Sequence, residues 1–317
     1  MISFLLLFGG IAVIILSAGW LVDGASSLAK RMGISDMVIG LTIVAFGTSS
    51  PELAVNIFSA VSGATDIAIG NVIGSNICNI MLILGVSALI YPLAINNNTK
   101  WKEIPLSLLA AVVLLFMTND VFINNDQAGD FLSRGDGLIL LCFMMIFLSY
   151  TYILALKGEV PVEDHVEIIP VWKSLFMIAA GLAGLFLGGK YLVAGAIDIA
   201  RMIGISEKVI GLTIVAIGTS LPELATSAVA AYKKKTDIAV GNVIGSNIFN
   251  IFFVLGITSV INPLPFNKTV NIDLAFCIAA SLLLFLTTFT FRRSSIDRSE
   301  GAFFLILYIS YLVYLVI

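Results

Sequence analysis

Residues 38–53 read VIGLTIVAFGTSSPEL and residues 209–224 read VIGLTIVAIGTSLPEL, a match at 14 of 16 positions. Residues 65–80, TDIAIGNVIGSNICNI, match 236–251, TDIAVGNVIGSNIFNI, again at 14 of 16. Both pairs are displaced by 171 residues, so the segments between them have equal length. A chain with such copies builds one unit twice, and whatever the motif does locally it does in both halves.

The copies lie in oily sequence. Hydrophobic residues make up 59% of the 317 and charged residues 12%, against about 25% charged in soluble domains. Apolar runs of about 20 residues predict transmembrane helices, since barrel strands would alternate with period two. Hydropathy gives about ten spans, near 3–28, 35–62, 66–90, 103–122, 137–156, 171–197, 206–232, 237–261, 271–290 and 301–317. The expected fold class is an all-α membrane protein of about ten helices, split into a first repeat at 1–156, a linker at 157–170 and a second repeat at 171–317. The linker, KGEVPVEDHVEIIP, holds the only histidine, His165, read as a solvated residue. Five spans per half is an odd number, so the second repeat enters the membrane from the opposite side. Inverted repeats of this kind are a common ground plan of secondary transporters.

Charge gives an independent test of orientation. With the N-terminus outside, the cytoplasmic loops hold Lys30, Arg31, Lys100, Lys102, Lys157, Lys173, Lys233, Lys234, Lys235, Arg292, Arg293 and Arg298. The outer loops hold Arg134, Arg201, Lys208 and Lys268. That bias follows the positive-inside rule and favours this orientation. The repeats diverge where the rule acts: SGATD at 62–66 becomes KKKTD at 233–237. The lysine run reads as a topology anchor, with anionic-lipid contact second. No basic residue precedes the first span, so no cleaved leader is expected. The expected location is the cell membrane, crossed many times.

The motifs put costly groups in these spans. A proline inside a helix removes one N–H and pushes away the carbonyl four residues back, which belongs to Gly47 for Pro51 and to Gly218 for Pro222. The carbonyls of Thr48 and Thr219 are loosened with them. Polar groups freed in hydrocarbon persist only where something satisfies them, and a cation does so. Glu52 and Glu223 lie one turn beyond Thr48 and Thr219, on the same face. In the second motif Asn71, Ser75 and Asn79 form a stripe at i, i+4, i+8, repeated by Asn242, Ser246 and Asn250. Gly70 and Gly74, with Gly241 and Gly245, have the spacing of closely approaching helices. Two carboxylates and two threonine carbonyls reach six oxygens, within the 6–8 that Ca²⁺ takes. The hydroxyls of Ser49, Ser220, Ser75 and Ser246 and the amides of Asn79 and Asn250 remain for smaller monovalent ions. No Cys or His joins the set to select Zn²⁺ or Cu²⁺. A hard cation exchanged through an all-oxygen site follows; which counter-ion moves does not.

The paired GTSSPE and GTSLPE, with paired GNVIGSNI-x-NI, resemble the α-repeats of the cation/Ca²⁺ exchanger superfamily, most closely those of prokaryotic Na⁺/Ca²⁺ exchangers. The likeness spans essentially the whole chain. It implies spans 2, 3, 7 and 8 packed around four ion sites, and alternating access by sliding of the long first and sixth helices. It implies that Glu52, Glu223 and the carbonyls of Thr48 and Thr219 ligate Ca²⁺, that Ser49, Ser75, Ser220 and Ser246 serve flanking Na⁺ sites with those glutamates, and that Asn79 and Asn250 lie at the middle site. Three Na⁺ for one Ca²⁺ would move one net charge. Some relatives, K⁺-dependent ones included, carry an aspartate at one of the asparagine positions; this chain has amides at both, which speaks against K⁺ cotransport.

Other readings stay open at this point. A Ca²⁺/H⁺ antiporter of the same fold differs only in the counter-ion. An intramembrane hydrolase would need a nucleophile and base that the linker histidine cannot supply, and a channel fits inverted halves less well. A glutamate could brace a basic residue, for which Lys190 is the only cation within a span. Asp23 and Lys190 are expected to snorkel. Cys78, Cys142 and Cys277 read as small core residues, and 119–137 as an exposed outer loop. The expected partners are Ca²⁺, Na⁺ and the bilayer, with no nucleic acid, cofactor, enzymatic activity or obligatory protein partner.

Overall fold

The structure, a computed structural model, describes residues 2–63, 65–119, 121, 129–157, 168–202, 204, 216–267, 270–290 and 294–316. His165 and most of the linker lie outside these residues, as do 120 and 122–128 of the 119–137 loop and the start of the seventh predicted span.

Two long helices, α1 (Ile2–Met32) and α7 (Val171–Met202), have 31 and 32 residues. At about 1.5 Å per residue each exceeds a hydrocarbon core of about 30 Å. They lie side by side and antiparallel, because small residues recur every seven positions on both: Gly10, Ser17 and Gly24 on α1, Gly181, Gly188 and Gly195 on α7. A Cβ on Gly10 would stand 2.7 Å from the Leu192 nitrogen, and one on Gly195 only 2.6 Å from the Ser3 carbonyl. Only glycine permits that approach, and in lipid such backbone contact is what holds helices together.

The second span is broken. Helices α2 (Asp36–Thr48) and α3 (Ser50–Ser62) meet at a 43° bend. Next come α4 (Ile67–Ile90) and α5 (Ile104–Met117), the latter preceded by a wide helical turn at Thr99–Glu103. After them follow α6 (Arg134–Leu156), α7, α8 (Leu221–Tyr232), α9 (Thr236–Ile261), α10 (Val270–Thr287) and α11 (Arg298–Val316). Among the described residues seven helices are long and apolar enough to cross a membrane, and the α2–α3 pair makes an eighth, broken span. The protein is therefore a helical, multi-pass membrane protein. The fourth expected span, 103–122, starts earlier and ends at Met117. The Asn96 side chain accepts from the Thr99 N–H at 2.9 Å and opens the helix, while Thr118 turns its hydroxyl back onto Leu114 and closes it.

Helices α4 and α9 form the centre, buried over most of their length, whereas α6, α10 and α11 turn most of their surface outward. Gly241 and Gly245 of α9 let α2 press against it: a Cβ on Gly245 would lie 2.7 Å from that of Ala45. A Cβ on Gly70 or Gly74 would meet nothing within 4 Å among the described residues. Two short antiparallel ribbons clasp the halves, in an otherwise helical fold. β1 (Leu93–Ala94) pairs with β4 (Ser295–Ile296), and β2 (Phe131–Leu132) with β3 (Leu264–Pro265).

Several charges lie elsewhere than expected. Lys100, read as a loop residue, is buried: its ammonium donates to the Thr288 carbonyl at 2.9 Å and lies 3.7 Å from the Phe289 ring centre. Both groups satisfy a cation out of water, the first at a helix C-terminus. Asp23 does not merely snorkel but pairs with Lys233 at 2.7 Å. Cys78 and Cys277 are core residues as expected, but Cys142 is exposed on the outward face of α6. The described end of the linker is tied to α1, since the Ile169 N–H donates to the Ser27 hydroxyl at 3.0 Å.

Candidate functional site

At both GTS-x-PE motifs the helix breaks and a new one starts. Ser49 ends one ladder through its N–H to the Ala45 carbonyl at 3.0 Å, and starts the next through its carbonyl, which accepts from Leu53 at 3.2 Å. Ser220 does likewise, donating to Ile217 and accepting from Leu224. Pro51 and Pro222 fall in the first turn of the new helix, where a missing N–H costs nothing. A helix N-terminus thus opens at each motif, with Glu52 or Glu223 in its first turn. The helix dipole there favours negative charge.

A serine at a helix N-cap ordinarily turns its hydroxyl onto its own helix. Ser49 and Ser220 do not. The Ser49 hydroxyl donates to Oε1 of Glu223 at 3.1 Å, and the Ser220 hydroxyl to Oε1 of Glu52 at 3.4 Å. Each half therefore orients the carboxylate of the other. The Ser75 hydroxyl also donates to Oε1 of Glu52, and Ser220 reaches Ser75 at 3.2 Å.

The same exchange runs through the surrounding polar groups. The Thr48 hydroxyl donates to Asn242 at 3.0 Å and that of Thr219 to Asn71 at 3.4 Å. Asn242 in turn donates to the Glu223 carbonyl and to Ser227, while Asn71 donates to Asn56. The Asn79 amide donates to Oδ1 of Asn247 at 2.9 Å, and the Asn250 amide to Oδ1 of Asn76 at 3.0 Å. Every pair of equivalents here differs by 171.

Asn79 and Asn250 sit where α4 and α9 widen into π-type turns, Cys78–Ile83 and Phe249–Leu255. Such local widening re-aims side chains and is frequent at functional sites. With their NH₂ groups engaged, both asparagines keep Oδ1 unpartnered. Eight buried side-chain polar atoms have no hydrogen-bond partner among the described residues. Five belong to expected site residues: Oε2 of Glu52, Oε2 of Glu223, Oδ1 of Asn79, Oδ1 of Asn250 and Oγ of Ser246. Orphaned buried acceptors are rare because each costs about 1–3 kcal/mol. Both glutamates are 1% exposed, and no described lysine or arginine lies within ion-pair distance of either. Lys190 therefore braces neither. Two unpaired carboxylates, two amide oxygens and nearby hydroxyls form a set of hard oxygen donors, suited to Na⁺ or Ca²⁺ rather than to a soft metal.

Of the ten residues that the sequence singles out, Ser49 bonds to Glu223, Ser75 and Ser220 bond to Glu52, and Thr48 and Thr219 bond to Asn242 and Asn71. Asn79 and Asn250 bond to Asn247 and Asn76 instead, and the buried Ser246 hydroxyl has no hydrogen-bond partner among the described residues. The threonines engage the network through their hydroxyls, a bond that the carbonyl argument did not foresee. Sequence reasoning also passed over Asn76 and Asn247, which hold the amides of Asn250 and Asn79, and Asn56 and Ser227, which anchor Asn71 and Asn242. The first two lie inside the repeated GSNI and were legible there. Asn56 and Ser227 differ between the copies and carried no repeat signal.

Comparison with known proteins gives matches over nearly the whole chain. The family described as sodium/calcium exchanger protein matches residues 2–153 and again 173–317. The sodium/calcium exchanger MaX1 of Methanosarcina acetivorans is 32% identical over 351 aligned positions, covering 99% of this chain and 98% of that protein. The inner membrane protein YrbG of Escherichia coli is 36% identical over 297 positions, covering 88% and 87%. Among solved structures, the sodium-calcium exchanger NCX_Mj soaked with 10 mM Na⁺ and 10 mM Sr²⁺ superposes with a TM-score of 0.83 at 36% identity, covering 98% of each chain.

Proposed function

Because the chain belongs to the sodium/calcium exchanger family, we infer that it is a secondary antiporter, not an enzyme, exchanging Na⁺ for Ca²⁺ across a prokaryotic cell membrane. Its substrates are the two cations, and the site has to hold each in turn.

In this reading Glu52 and Glu223 supply two negative charges to one Ca²⁺, through the oxygens that no protein group engages. The carbonyls of Thr48 and Thr219 complete the inner set. Ser49, Ser75, Ser220 and Ser246 serve the flanking Na⁺ positions with the same carboxylates, and Asn79 and Asn250 line the middle one. Replacing a dication's hydration requires 6–8 oxygens in a flexible arrangement. Two helices that begin within the span, each opposing its neighbour across a swapped serine bond, supply that geometry. Sharing the carboxylates between Ca²⁺ and Na⁺ makes occupancy competitive, and competition at one site is what antiport needs. Three Na⁺ per Ca²⁺ would carry one net charge per cycle.

The finer architecture belongs to the same reading. Ten helices form two inverted five-helix repeats, 1–156 and 171–317, joined by a cytoplasmic linker, with the N-terminus outside. The support is the pairwise exchange of contacts at a constant offset, as in Ser49–Glu223 against Ser220–Glu52, together with two short ribbons that each join one half to the other. Alternating access proceeds by sliding of α1 and α7, whose contact through glycine and serine presents little side-chain relief to resist it.

The unpartnered Oε2 atoms of the two glutamates carry the proposal most directly. The test is ⁴⁵Ca²⁺ uptake into proteoliposomes driven by an outward Na⁺ gradient at clamped pH. Uptake that requires Na⁺ and is lost in Glu52→Gln supports the account. Uptake that ignores Na⁺ and follows a pH gradient would assign the protein to Ca²⁺/H⁺ antiport instead.

A further inference from the structure

A cavity of about 580 Å³ opens between α3, α7 and α8 and borders the ion site, with Pro51, Gly218, Thr219 and Pro222 of the two motifs among its lining. Its size falls within the ~300–1,000 Å³ of small-molecule sites. The lining is apolar, with Phe58, Phe186, Val193 and Ile197 among its walls; among the described residues only Lys190 and Thr219 bring polar side chains. The Thr219 hydroxyl is already bonded to Asn71. That leaves Lys190, whose side chain is exposed and has no carboxylate within ion-pair distance among the described residues.

An unpaired ammonium inside a transmembrane helix is costly and calls for a counter-charge. It lies in the half of α7 toward Met202, and its four-carbon stem lets the charge reach toward the headgroup layer. An aqueous route for cations would want polar walls, and a lysine there would repel its traffic. Apolar walls with one cation at their edge instead match a hydrocarbon chain ending in an anion. We propose that the cavity takes one acyl chain of an anionic phospholipid, its phosphate paired with Lys190. The lipid would touch α3 and α8, which carry Glu52 and Glu223, and α7 at once.

Native mass spectrometry of the full-length protein released from nanodiscs of mixed phosphatidylcholine and phosphatidylglycerol tests this. The wild type is expected to retain one phosphatidylglycerol in preference to phosphatidylcholine. A lysine near the membrane surface contributes about 1 kcal/mol of attraction, so Lys190→Gln should weaken that retention about fivefold. Lys190→Arg should keep it, and Ala194→Trp, which fills the cavity, should remove both lipids. Equal retention of the two lipids by the wild type would overturn the proposal. So would phosphatidylglycerol retained unchanged in Lys190→Gln or in Ala194→Trp. If one variant fails to fold, the wild-type preference and the other variants still decide.

Discussion

Ser49 and Ser220 each forgo the cap of their own helix to hold the carboxylate of the other half. A hydrogen bond to a charged group contributes about 1.5–3 kcal/mol, so Ser49→Ala and Ser220→Ala should each weaken cation binding by roughly ten- to a hundredfold. Their loss should fall on the apparent Km for Ca²⁺ in ⁴⁵Ca²⁺ uptake, and to a similar degree, because the two serines have equivalent roles. The glutamates themselves are less forgiving. Removing one charge from a buried site that relies on it costs about 3–5 kcal/mol, so Glu52→Gln or Glu223→Gln should lower uptake at least about a hundredfold. Protons compete for the same oxygens, since a protonated carboxylate is a lost ligand. Uptake at subsaturating Ca²⁺ should therefore fall as pH falls and recover when Ca²⁺ is raised; a loss that added Ca²⁺ cannot reverse would point to another titrating group.

At the scale of elements, the broken spans and the α1–α7 contact do most to position the site. Pro51→Ala restores an N–H and lets the α2–α3 bend of 43° relax, so Ca²⁺ uptake should drop while the protein still inserts; unchanged uptake would show that the break does not depend on the proline. Gly188→Leu places a branched side chain against Ile14 and the Gly10 carbonyl. Overpacking of this kind costs about 1–3 kcal/mol, read as a lowered unfolding temperature in detergent together with slower exchange. The breaks were legible in the sequence, because proline and glutamate are improbable neighbours in an oily span. So were the ten candidate residues, because each was written twice. The π-type turns that aim Asn79 and Asn250 were not legible, since residues 78–83 and 249–255 have the composition of ordinary helix. The buried Lys100 was not either: its acceptor, the Thr288 carbonyl, is 188 residues away in sequence and had no local signal.

For the molecule as a whole, the pseudo-symmetry of contacts is the organising fact. Hydrogen bonds cross between the halves, so neither carries the whole polar network alone. The lysine run that breaks the symmetry, KKKTD, also ties Lys233 to Asp23. That bond is partly exposed, and Lys233→Ala should change stability by less than about 1 kcal/mol in a thermal-shift measurement. If three Na⁺ exchange for one Ca²⁺, an imposed K⁺/valinomycin potential should speed or slow Na⁺-driven uptake according to its sign; insensitivity would mean electroneutral exchange. The claim beneath all of this is that Glu52 and Glu223 together replace the hydration of one divalent cation. It is tested most directly by equilibrium ⁴⁵Ca²⁺ binding to the purified protein. The account predicts a Na⁺-displaceable Ca²⁺ on the wild type that is absent from the Glu52→Gln, Glu223→Gln double variant; a double variant that still binds Ca²⁺ displaceably would contradict it.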